Sequence, residues 1–163
     1  MDIKVEILRD AMRHWASGVA VITCVCGNAR AGTTISSFPS LSLEPPLILV
    51  NLASENPTQT MIHQSGYFGI TLLSERQKEI SALFAGYNKT IMDRFNGLKI
   101  FTLTSGVPFM EGGLAYLDCM VHYRYEMPKS VVIVGEVLDG RLGVKGLPLV
   151  YLNRAYVGLT GQE

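Results

Sequence analysis

Val19-Ala20-Val21-Ile22-Thr23-Cys24-Val25-Cys26 is an unbroken run of β-branched and small apolar residues, and the Gly27-Asn28 turn signal follows it directly. Ala29-Arg30-Ala31-Gly32 then resumes an extended pattern, so the stretch predicts a β-hairpin. Working outward, Leu47 to Leu52, Tyr67 to Leu73, Ala115 to Tyr125, Val131 to Leu138 and Leu149 to Tyr151 carry the same signature. In the longest of these, Leu117, Cys119, Val121 and Tyr123 alternate with Asp118, His122 and Arg124. The polar set is expected to face solvent or a groove.

Helices frame this series. Ile3, Ile7, Ala11 and Trp15, with Leu8 and Met12 beside them, form the apolar stripe of an amphipathic helix that Gly18 is expected to end. Asn56-Pro57-Thr58 sets a capping residue before a proline at the first helical position, which predicts a helix through Met61 and Ile62. Ser74-Glu75-Arg76-Gln77 matches a capping box, with Ile80, Leu83 and Phe84 as the buried stripe and Gly86 as the stop. Strands outnumber helices and show no regular β-α-β alternation. The class is therefore mainly β with peripheral helices, an antiparallel barrel rather than a dinucleotide-binding parallel sheet.

At 163 residues the chain is expected to be one domain, 1–163, that buries about 70% of its unfolded surface. Apolar residues make up 48%, and 14 Lys+Arg balance 14 Asp+Glu, so no basic surface for nucleic acid is expected. The longest apolar run, Leu47 to Val50 continued through Leu52 and Ala53, falls far short of the roughly 20 residues that span a bilayer. No secretory signal pattern opens the sequence, and a cytoplasmic location away from membranes is expected. Cys24, Cys26 and Cys119 read as buried small hydrophobes, and His14, His63 and His122 lack ligand spacing, so no metal is assigned.

Glycine-rich phosphate loops and the G-x-S-x-G elbow are both absent from the sequence. What stands out is a density of hydroxyls: Thr33, Thr34, Ser36, Ser37, Ser40 and Ser42 around Phe38-Pro39. Uncharged donors and acceptors on a strand and its turn suit a flavin ribityl chain or a sugar phosphate, and equally an ordinary solvated edge strand. The helix start at Asn56 offers free N–H groups to an anion, or is simply a cap.

Taken together, three blocks resemble the flavin reductase family with the FMN-binding split-barrel fold. They are Trp15-Ala16-Ser17-Gly18-Val19-Ala20-Val21-Ile22-Thr23, the block from Gly32-Thr33-Thr34-Ile35-Ser36-Ser37 through Pro45-Pro46-Leu47, and Phe84-Ala85-Gly86 with Asp93-Arg94-Phe95. Gly113 to Cys119, Val134-Gly135-Glu136-Val137 and Pro148 to Tyr151 before Arg154-Ala155-Tyr156 extend the resemblance over nearly the whole chain. It implies a homodimeric, antiparallel six-stranded split β-barrel that binds FMN or FAD, uses NADH or NADPH, and supplies reduced flavin to a monooxygenase partner. Carried onto this sequence, it implies that Thr33, Thr34, Ile35, Ser36 and Ser37 line the ring and ribityl chain. Asn56 and Thr58 would hold the phosphate, and Asn51 and Ser54 belong to the same implied set. Phe84, Ala85 and Gly86 would border the cavity, Asp93, Arg94 and Phe95 would close it with Arg94 as a charge partner for the phosphate, and Tyr156 completes the set.

One segment departs from the family pattern. Where members carry Gly-Asp-His before the strand ending in Gly-Glu-Val, this chain has Pro128, Lys129 and Ser130. A serine cannot become positively charged near neutral pH as histidine can. Lys129 and Ser130 are therefore the candidates near the nicotinamide, and no catalytic acid or base is assigned. The departure also leaves open a flavin carrier, or a flavin-dependent ferric reductase, without ordinary NAD(P)H turnover.

Overall fold

The computed structural model describes residues 2–86 and 93–160. It opens with α1 (Ile3–Arg13), β1 (Ser17–Gly18), the hairpin β2 (Ala20–Cys26) and β3 (Ala29–Ile35), then β4 (Ser40–Leu43), β5 (Pro46–Ala53) and α2 (Pro57–Ser65). There follow β6 (Tyr67–Leu72), a 3₁₀ turn at Glu75–Gln77, α3 (Lys78–Ala85), β7 (Ile100–Thr102) and β8 (Pro108–Met110). The long hairpin β9 (Ala115–Glu126) and β10 (Ser130–Leu142) precedes β11 (Val150–Leu152) and β12 (Ala155–Val157).

Among the described residues all strand pairs are antiparallel, and the principal sheet has seven strands, not six, in the order β3-β2-β6-β9-β10-β5-β4. Strand β4, at one edge, falls in the hydroxyl-rich block that was expected to be a strand and its turn. This sheet is curved of necessity. Its edge strands β3 and β4 are joined by the chain from Ile35 to Ser40, which spans at most about 18 Å. Six flat inter-strand steps would hold those edges about 29 Å apart. The connecting segment lies against β5, where Leu49 N–H donates to Pro39 O at 3.0 Å.

Strand β2 is apolar without interruption because both its faces are covered. Ala20, Ile22 and Cys24 join Val50, Phe68, Ile70 and Ile133 in one cluster, whereas Val21 joins Leu73, Phe84, Phe95 and Leu149 in another. Asn56 caps α2 by accepting from Thr58 N–H at 2.9 Å, and Gly66 closes the helix in the left-handed conformation. The capping box also forms: the Gln77 side chain accepts from Ser74 N–H at 3.1 Å, and Gly86 ends α3 with φ +75°.

Two expectations are corrected. Helix α1 ends at Arg13 with His14 as its cap, well before Gly18, and none of its residues is buried. Its apolar side chains stay exposed, as does Trp15 beyond it, at 69%. Asp118 faces neither solvent nor a groove but is fully buried. As far as Val121 the parity of β9 is as expected; its second face is covered by the excursion containing Val107 and Phe109, and Asp118 accepts from Ser105 N–H at 2.7 Å and from the Ser105 hydroxyl. Further along, His122 is the extra residue of a bulge, since Val134 pairs with Tyr123 and Gly135 with Val121. That shift turns Tyr123 outward. Arg124 is partly covered, donating to Gln59 Oε1 at 2.8 Å. Among the described residues no helix is long and apolar enough to cross a membrane.

Candidate functional site

Four depressions adjoin along β3 and the segment after it. The largest, about 710 Å³, is bounded by Gly32 and Thr33 of β3, the start of α2 at Asn56 and Thr58, the end of α3 at Ala85 and Gly86, and Asp93, Arg94 and Phe95. The smallest, about 220 Å³, adjoins it, sharing Thr33 and Ala85 and adding Thr34, Ile35, Ser36 and Tyr156. Ser36 and Ser37 then continue into two further hollows beside Trp15. Most of the residues singled out from the sequence thus line these adjoining depressions.

Strand β3 can do this because, among the described residues, it is an edge strand: β2 pairs with it on one side, and on the other its main-chain N–H and C=O groups have no strand partner. Gly32 O uses that freedom to accept from Arg94 Nη1 at 3.2 Å, and the same nitrogen reaches Phe84 O at 3.2 Å. Arg94 thereby ties β3 to the end of α3. Gly86 makes room for it, since a Cβ there would stand 2.7 Å from Arg94 Nη2. Gly32 is equally constrained, because a Cβ would meet the Phe84 ring at 2.8 Å. Phe84 is wholly buried and packs edge-on against Phe95 with centroids 5.1 Å apart, so it is core behind the lining, which Phe95 itself joins.

At the smaller end, the Thr34 hydroxyl donates to Ser81 O at 2.7 Å and Tyr156 Oη donates to Ser81 Oγ at 2.8 Å. Ser81, fully buried, was not singled out from the sequence, nor were Arg30 and Tyr151, which also line the groove. The i, i+4 spacing of Ser81 and Ala85 on α3 was a usable signal for the first. Arg30 pairs with Asp93 at 2.8 Å, and this bond is the chief reason the Asp93 carboxyl lies below the ordinary carboxylate range.

The remaining candidates stand beside the groove rather than among its lining. Asn51 is exposed on β5, with its carbonyl 3.5 Å from Ser37 Oγ. Ser54 sits in the turn before α2, where its carbonyl accepts from Gln59 Nε2 at 2.8 Å. Lys129 and Ser130 belong to the β9–β10 hairpin; Ser130 pairs with Ala53, and Lys129 O accepts from Ser54 N–H at 3.1 Å. The deviant segment therefore abuts the turn that feeds α2. Burial pushes the Cys24 thiol up to about 11 and the Cys119 thiol higher still, so neither is a nucleophile.

The groove fits a flavin. Neutral hydroxyls and free edge-strand groups line one part, and a helix N-terminus and a guanidinium line another, within the size range of cofactor sites. Comparison with known proteins agrees. The chain is 34% identical over 154 residues to the actinorhodin polyketide dimerase of Streptomyces coelicolor, covering 94% of this chain and 85% of that one. It is 33% identical over 151 residues to the reductase component of 4-hydroxyphenylacetate 3-monooxygenase from Thermus thermophilus, covering 93% and 94%. Its fold is similar to that of the NADH:FAD oxidoreductase of Streptomyces globisporus, solved with NAD and FAD fragments, at TM-score 0.88 and 25% identity over 98% of this chain and 96% of that one. Residues 12–160 match the flavin reductase like domain, and with relatives of this identity and coverage the chain belongs to the flavin reductase-like family.

Proposed function

We propose that this single-domain protein is an NAD(P)H-dependent flavin reductase that binds FMN or FAD and supplies reduced flavin to a partner monooxygenase. The observation that carries the reading is the pair of adjoining depressions that runs from the α2 N-terminus, along the hydroxyl-rich edge of β3, to Tyr156. The names of the relatives point the same way. When bound, the flavin supplies the chemistry by accepting at N5 the hydride that the nicotinamide gives up from C4.

The chain's task is then to bind, orient and exclude water. Edge groups of β3 with Thr33, Thr34, Ile35, Ser36 and Ser37 hold the ring and ribityl chain. Asn56 and Thr58 at the α2 N-terminus, steadied by the Ser54 turn, receive the phosphate, where helix N–H groups and the dipole favour an anion, and Asn51 supports the segment through Ser37. Arg94 adds a fixed positive charge, Ala85 and Gly86 form the wall, and Phe95, backed by Phe84, forms the floor. Lys129 and Ser130 approach the nicotinamide from the hairpin. No side chain has to move a proton in this step.

The curved sheet is read as the six-stranded split barrel with β4 added at its edge. The exposed stripe of α1 is read as part of a homodimer interface, because apolar residues at that density are seldom left in water. The replacement of histidine by Ser130 favours a flavin carrier as the second reading. Anaerobic stopped-flow with added FMN separates the two: rapid bleaching by NADH or NADPH is expected, and flavin that stays oxidised with both makes the protein a carrier.

A further inference from the structure

Two arginines line the largest depression, and they are committed differently. Arg94 spends Nη1 on two main-chain carbonyls. Arg30 carries five N–H donors and, among the described residues, spends one of its nitrogens on Asp93 Oδ2. Its guanidinium lies over the Phe95 ring, 4.9 Å from the centroid, and that ring is itself locked against Phe84. Arg30 is thus preorganised, partly exposed and rich in unspent donors at the rim of a groove whose other part is a helix N-terminus. Glu55 and Asp93 are the acidic residues of the same lining.

A single phosphate is served by the α2 N-terminus, and it leaves Arg30 with Asp93. A second phosphate is different. We propose that Arg30 is a specificity-determining residue that reads the second phosphate of a dinucleotide, by exchanging Asp93 for a phosphate oxygen. The diphosphate belongs either to FAD, which Arg30 then distinguishes from FMN, or to the pyridine dinucleotide. Guanidinium suits such an exchange because its planar fork accepts a carboxylate or a phosphate in the same geometry. Asp93 is the resident competitor, held by Arg30 and by Phe95 N–H, which donates to Oδ1 at 2.9 Å. The inference rests on the flavin-reductase reading.

The test is fluorescence titration of the full-length protein, its Arg30→Gln and its Asp93→Asn variants with FAD, FMN and riboflavin, together with the KM for NADH using riboflavin as acceptor. Arg30→Gln is expected to weaken FAD by about tenfold, the scale of one charge-assisted hydrogen bond, with FMN and riboflavin shifted less than about threefold. Asp93→Asn keeps the acceptor for Phe95 N–H and removes the competing charge, so it tightens whichever dinucleotide Arg30→Gln weakens. If the KM for NADH rises about tenfold in Arg30→Gln while FAD holds, the second phosphate is that of the pyridine dinucleotide. Equal losses for all three flavins, or no loss for either dinucleotide, overturn the proposal. A wild-type protein that binds none of the flavins overturns the reading beneath it, and this one with it.

Discussion

The main-chain N–H of Ser54 donates to the carbonyl of Lys129 at 3.1 Å, which pins the β9–β10 hairpin to the turn that feeds α2. Lys129→Ala keeps that carbonyl. Its effect should therefore fall on the KM for the nicotinamide nucleotide, with the flavin dissociation constant moving by less than about twofold, within the usual independence of separate sites. Stopped-flow reduction and flavin titration read the two separately. An equal loss in both would place Lys129 at the flavin instead.

Arg94→Met removes the donor shared by Gly32 O and Phe84 O, leaving two partly buried carbonyls short of a partner. The expected cost is about 2 kcal/mol, or a fall of about 4–8 °C in Tm for a chain of this size, with weaker flavin binding. Urea and thermal melts check it. A melt unchanged by the substitution would make Arg94 a ligand-facing charge with no structural duty.

Gly32→Ala drives a methyl group to 2.8 Å from the Phe84 ring and 3.0 Å from Ile22 O. The main-chain atom cannot yield, and Phe84 can shift only by pushing on Phe95. Destabilisation of about 1–3 kcal/mol is expected, with loss of flavin retention because the floor of the groove moves. Denaturation midpoints and bound-flavin absorbance should fall together.

Stability should depend on pH at both extremes. Cys24 holds its proton more tightly when folded, so its contribution is complete below the ordinary thiol value of 9.0 and is lost as pH rises towards about 11. Asp93 has the opposite sign: its carboxyl is lowered, so its contribution is present above 3.8 and disappears as pH falls through the folded value. Thiol titration of the native protein near pH 8 should find Cys26 alone reactive, since Cys24 and Cys119 are buried. Three thiols reacting at the same rate would contradict this.

Helix α1 presents Ile7 and Leu8 to solvent at 64% exposure each. The double substitution Ile7→Glu, Leu8→Glu should convert a dimer into a monomer by light scattering, and Trp15 emission should shift to the red as its surroundings become wet. Identical masses for the two proteins would remove α1 from the interface.

Most features that depend on residues within about four positions of one another were legible in the sequence, the end of α1 excepted. The Asn56 cap, the Ser74–Gln77 box, the left-handed stop at Gly86 and the β2–β3 hairpin all form where the pattern puts them, because caps and turns close hydrogen bonds locally. The hydroxyl block from Thr33 to Ser37 was visible too, as composition on an edge strand. Tertiary structure decided the rest. Arg30 meets Asp93 across 63 positions, Arg94 meets Gly32 across 62, and Asp118 is buried by a segment whose arrival no periodicity announces. Alternation along β9 shows which residues share a face, but not whether that face meets water. The covering layer comes from elsewhere in the chain, and the curl of the sheet brings it there.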